Sequence, residues 1–141
     1  MMKSWARVAV GTPAIATLTG CTPAPEPVDP NLAACEEFGA IADKYAYLSG
    51  LTGSNTYIGD DGFRQLLSEY SDPADDFKAV QAHGELAEQQ ADVVDALRGV
   101  VTGGRVALAT GDVDDALSAS TAAAIATGRL GTTCDAIAAA G

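Results

Sequence analysis

Three cysteines, one histidine and nineteen acidic side chains are the groups of this 141-residue chain best suited to chemistry. Nucleophilic catalysis needs a serine or cysteine held by a base at hydrogen-bonding range. His83, the sole histidine, falls on a helical stripe with Ala79 and Leu86, and Gln90 lies one helical step further. That setting reads as a packed or boundary residue, and no local motif nominates a nucleophile beside it. The run Asp112-Val113-Asp114-Asp115 matches only the opening of a calcium loop. Such a loop needs glycine at its sixth position and glutamate at its twelfth, and Leu117 and Ala123 stand there. Helix capping accounts for these acids better. Asn55 with Asp60-Asp61-Gly62 is a second oxygen-rich cluster, read as a turn and cap. Glu36 and Glu37, Glu85 and Glu88, and Asp92 and Asp95 read as solvated faces, not as an acid–base pair. No glycine-rich phosphate cradle precedes a basic residue. Two cysteines and one histidine at these separations fit no metal-ligand spacing. The expectation is a non-enzyme, with no catalytic residue, no metal and no cofactor.

The remaining chemical feature is Leu18-Thr19-Gly20-Cys21. Lys3 and Arg7 precede it, Val8–Leu18 is mostly small and apolar, and no acid occurs before Glu26. The apolar stretch falls short of the roughly 20 residues that span a bilayer. After Cys21 the sequence TPAPEPVDP follows. This arrangement resembles the lipobox signal peptide of small bacterial lipoproteins, and the resemblance covers the leader alone. It implies cleavage between Gly20 and Cys21, since the peptidase needs small residues beside the cut. It also implies a thioether from the Cys21 sulfur to a diacylglyceryl group carrying palmitate-type chains. Residues 1–20 are then signal peptide, 21–30 a proline-rich tether and 31–141 a helical domain. The location implied is the cell membrane, lipid-anchored on its extracytoplasmic face. The abundance of Ala, Gly, Asp and Val resembles that of exported proteins of high-GC Gram-positive bacteria and their phages.

The resemblance also orders the cysteines. If Cys21 carries lipid, Cys35 and Cys134 remain as a pair in an oxidising compartment, where disulfides persist. A bridge between them would close nearly the whole domain. A free buried thiol pair and intermolecular bridges are the alternatives.

The chain carries −11 overall; all nineteen acids but only six of the eight basic residues follow Gly20, so that portion carries −13. Such a charge argues against nucleic acid, which demands a basic footprint, and against lying flat on anionic lipid. Solubility explains it most simply.

Elements must now position these groups. Four prolines within residues 22–30 exclude a helix or central strand there and favour an extended tether. Downstream the apolar period is helical throughout. Asp29-Pro30 suits a cap followed by proline at the first helical position. Cys35, Phe38, Ala42, Tyr45 and Leu48 form the first stripe, ending near Gly50. A polar, glycine-rich loop follows to Asp61, and a short helix presents Phe63, Leu66, Leu67 and Tyr70. Ser71-Asp72-Pro73 is read as ending that helix and starting the longest one, Pro73 to Val101. Gly103-Gly104 is read as an interruption, and Gly111-Asp112 as a C-cap followed by an N-cap. The last helix carries Val113, Ala116, Leu117, Ser120, Ala124 and Ile125; Gly128 and Gly131 leave its continuity open. The fold class expected is all-α: a small up-and-down bundle of about four helices, one short, closed by a terminal disulfide.

Function is expected to be that of an interaction or structural module of the cell envelope, tethered to the membrane through Cys21. Its partner would be another envelope protein, with no nucleic acid involved. Tyr57 and Ile58, in the long loop, are the candidate partner contacts. Two alternatives stand beside this. One is a helical module binding a small ligand, which a sizeable apolar cavity would favour. The other is a phage-encoded lipoprotein that excludes superinfection, by analogy alone.

Overall fold

The computed structural model describes residues 27–48 and 59–141. Recurrent apolar positions at steps of three and four build four principal helices: α1 (Leu32–Lys44), α2 (Gly59–Ala79), α3 (Glu85–Thr110) and α4 (Asp114–Ala140). No strand occurs among the described residues, and the domain is an all-α bundle closed by a disulfide. The central helix is α3, packed along both α2 and α4, while the short α1 touches α2 and α4. The core gathers Phe38 of α1, Ala74 and Phe77 of α2, Leu86, Val93, Val94 and Leu97 of α3, and Ala126 and Leu130 of α4. Phe38 and Phe77 stack with ring centroids 5.5 Å apart.

Helix starts follow the capping expectation, shifted slightly. The Asp29 carboxylate accepts the Asn31 N–H at 2.8 Å, and the Asp112 carboxylate accepts the Asp114 N–H at 3.0 Å. Each satisfies a donor that the incoming helix leaves free. The helices themselves begin at Leu32 and Asp114, three and two residues after these aspartates. At the end of α3, Gly111 adopts φ +78° and donates its N–H to the Ala107 carbonyl at 2.8 Å. Gly111 is thus the left-handed C-cap.

Three boundaries differ from the sequence reading. Ser71-Asp72-Pro73 does not divide two helices; α2 runs through Pro73. Leu66, Leu67, Ala74, Phe77 and Val80 are all buried, and so is Pro73. One apolar period therefore spans the proline, and its packing outweighs the roughly 3 kcal/mol that an interior proline costs. Next, the helix expected from Pro73 to Val101 breaks between Val80 and Gly84. Gly84 sits at φ +60°, ψ −136°, a conformation open mainly to glycine. Finally, Gly103-Gly104 does not interrupt α3. Both glycines are buried and serve as contact points for neighbouring helices. The last helix is continuous through Gly128 and Gly131.

The break before α3 is held by a buried side chain. Gln90 Nε2 donates to the carbonyl of Phe77 and, at 2.8 Å, to that of Val80. A helix C-terminus leaves its last carbonyls without intrahelical donors, and Gln90 supplies one from the next helix. Gln90→Leu keeps most of the volume but strands those acceptors. The expected loss is about 1–3 kcal/mol, the range for buried polar groups left unpaired. Denaturant midpoints at constant m-value measure it; an unchanged midpoint would remove Gln90 from this role.

Candidate functional site at the disulfide end

The first turn of α1 and the last turns of α4 meet where the chain enters the domain. Cys35 and Cys134, 99 positions apart in sequence, are joined by a disulfide with Cα atoms 5.4 Å apart. Both cysteines pack against the core. The free-thiol and intermolecular alternatives for this pair are thereby replaced by an intrachain bridge.

Beside it, the side chain of Asn31 clamps the break between α2 and α3. Its Oδ1 accepts the His83 N–H at 2.8 Å, and its Nδ2 donates to the His83 carbonyl at 3.1 Å. Asn31 precedes α1 but makes no side-chain cap bond to it; its amide is spent on His83. His83 is therefore not on a helical stripe. It lies in the connection, exposed, and its backbone carries the contact. Glycine at position 84 bends the chain out of the helix and takes the imidazole off the predicted face.

A polar cluster ties the far end of α1 to α2. Lys44 Nζ lies 2.8 Å from Asp76 Oδ2, Tyr45 Oη donates to the same oxygen at 2.7 Å, and the ammonium sits 4.8 Å from the Tyr45 ring centroid. The hydrogen bond from Lys44, then that from Tyr45, lowers the Asp76 pKa. The bond to Asp76 raises that of Lys44. Desolvation, followed by the bond to Asp76, raises that of Tyr45. Each shift favours the resting state: anionic carboxylate, cationic amine, neutral phenol. None readies a base or nucleophile for neutral pH. The cluster fastens α1.

Above it, where α1 ends short of its neighbours, a crevice of about 390 Å³ opens. Ala42 of α1, Tyr45, Tyr70 and Phe77 of α2, Leu97 of α3 and Thr127 of α4 line it, so all four helices reach it. On α4, Leu117 and Ile125 are 61% and 51% exposed. They flank a shallow hollow with Ser118, Thr121 and Ala122.

Among the described residues no group of three or more His, Cys, Asp or Glu side chains could hold a metal ion. No helix among them is long and apolar enough to cross a membrane. Gly20 and Cys21 lie outside the described residues, as do Tyr57, Ile58 and Asn55. Sequence reasoning missed the Asn31 clamp, which carries no motif. Gln90 could have been found as the one amide among Leu86, Val93, Val94 and Leu97.

Comparison with protein-family models, with curated proteins and with solved structures finds no match.

Proposed function

We propose that this chain is a membrane-anchored extracytoplasmic lipoprotein whose helical domain acts as a non-enzymatic interaction module of the cell envelope. The supporting observation is the partition of its cysteines. Cys35 and Cys134 bond to each other, which fits an oxidising compartment, and Cys21 is left over beside the proline-rich segment. A diacylglyceryl group meets the two-chain requirement for stable anchoring, each buried methylene contributing about 0.8 kcal/mol. Residues 22–30, if extended at about 3.1 Å per residue, would lift the domain by about 30 Å. The disulfide end would then face the membrane, and the α2–α3–α4 end would face outward. The exposed Leu117 and Ile125 support a contact role there.

Cys21→Ala tests the anchor. The expected result is loss of the protein from the membrane fraction, with the domain recovered folded. Retention of the variant at wild-type level would refute the proposal.

The crevice beside Tyr45 supports a second reading, a module that binds a small apolar ligand. Apolar pockets of a few hundred cubic ångströms are typical of such sites. A neutral solvatochromic dye should bind there, and Thr127→Trp, which fills the rim, should weaken it about tenfold, the scale of a lost well-packed pocket. Dye binding indifferent to that substitution would dismiss the second reading.

A further inference from the structure

Six basic residues follow Gly20 in a portion of chain that carries nineteen acids, and two of the six line one groove. The groove lies between α2 and α3, at the end opposite the disulfide, with a volume of about 430 Å³. From α2 it takes Arg64, Leu67 and Ser68; from α3 it takes Arg105, Leu108 and Ala109. Each set has the spacing i, i+3, i+4, which puts its members on one helix face. The two faces oppose each other because Gly104 brings the helices together. A Cβ at Gly104 would strike the Leu67 side chain, so Leu67 fills the space that glycine leaves. The rim therefore carries guanidinium groups above an apolar floor.

Arg105 makes no ion pair or hydrogen bond among the described residues. Arg64 pairs only with Asp61, three residues earlier on its own helix, at 2.9 Å and through a fully exposed carboxylate. Exposed pairs of that kind contribute little, so Asp61 is a weak competitor for the site. The net negative charge does not decide the matter either. Exposed charges beyond about 8 Å are largely screened at physiological salt, whereas guanidinium–carboxylate contact is local and can be bidentate.

We propose that this groove binds an amphiphilic carboxylate. The carboxylate engages Arg64 and Arg105, Ser68 offers a hydroxyl, and the apolar tail lies along Leu67, Leu108 and Ala109. The guanidinium pair selects the charge, and the floor selects a tail over a bare anion. An aliphatic amine would meet the same floor and two repelling cations.

The test uses the full-length chain made without lipid by Cys21→Ala. Its arginine side-chain NMR signals are followed during titration with decanoate, decylamine and acetate. Decanoate should shift the Nε–Hε signals of Arg64 and Arg105 and leave those of Arg98 and Arg129 in place. Decylamine should leave all four unmoved, and acetate should bind at least tenfold more weakly than decanoate. Arg105→Ala should weaken decanoate about tenfold, the effect of losing one charge-assisted hydrogen bond. Asp61→Asn, which removes the competitor, should tighten it about twofold to fivefold. Both positions are exposed, so neither variant endangers the fold. Unmoved Arg64 and Arg105 signals would overturn the proposal, as would an equal response to decylamine. Acetate binding as tightly as decanoate would overturn the role of the floor.

Discussion

Removing the Cys35–Cys134 bridge is expected to lower the free energy of unfolding by about 4 kcal/mol, near the chain-entropy value for a loop of this size. The residues bridged are 99 apart, so the unfolded chain loses much of its freedom when they are joined. Whole domains have only about 5–15 kcal/mol to lose. The effect should concentrate on α1. That helix has 13 residues, of which Ala34 and Phe38 are buried. Its other polar fastenings are the Asn31 clamp, the Tyr45–Asp76 hydrogen bond and the exposed Lys44–Asp76 pair. Surface pairs of the latter kind contribute little. Without the bridge, α1 should open at a lower denaturant concentration than the α2–α3–α4 body. Guanidinium unfolding of the Cys35→Ala/Cys134→Ala variant measures the total, and amide exchange along α1 measures its location. An unshifted midpoint would mean that the unfolded chain is already compact enough for the bridge to add nothing.

The second large effect is expected at Gly103. A Cβ there would lie 2.6 Å from the Ala116 nitrogen and 2.8 Å from both Ala116 Cα and the Asp115 carbonyl carbon. All three are backbone atoms, so no side chain can rotate away, and α3 and α4 must separate. A Cβ at Gly99, one turn earlier, would lie 3.2 Å from the Ala119 Cβ. Together the two glycines form a small-residue seam against which the alanines of α4 pack. Alanine would gain about 1 kcal/mol of helix propensity over glycine. Overpacking costs about 1–3 kcal/mol and sometimes more. With rigid atoms on every near side, the upper end applies, and Gly103→Ala is expected to destabilise by about 2 kcal/mol net. Gly128 and Gly131 provide the opposite case. A Cβ at either meets nothing within 4 Å, so alanine there should stabilise by about 0.5–1 kcal/mol. Thermal or denaturant unfolding of the three variants reads both signs. A stabilising Gly103→Ala would show that α3 and α4 do not approach this closely.

These glycines also show what the sequence could and could not convey. Helical periodicity identified the fold class and the face of Leu66 and Leu67, while the resemblance of the leader to a lipobox pointed to Cys35 and Cys134 as the remaining pair. Gly111 was legible as a terminator because an aspartate cap follows it. Gly103 and Gly104 were misread because a buried glycine at a helix contact and a glycine that ends a helix look alike until the partner is known. Gly84 was misread in the reverse sense, as an interior position of the expected Pro73–Val101 helix, although its backbone turns the chain. Pro73 shows local propensity losing to tertiary burial. The groove between α2 and α3 escaped notice because Arg64 and Arg105 are 41 positions apart. Only the antiparallel register, with Gly104 against Leu67, makes them neighbours. Gly20, Cys21, Tyr57 and Ile58 rest on the sequence reading alone.

The central claim is a division of labour among three cysteines, one for a lipid and two for a clasp. Intact mass spectrometry of the non-reduced protein extracted from membranes tests it most directly. The predicted species begins at Cys21, carries a diacylglyceryl modification on that residue, and lacks two hydrogens at Cys35 and Cys134. A membrane-derived chain that begins elsewhere, or that bears an unmodified Cys21 thiol, would contradict the account.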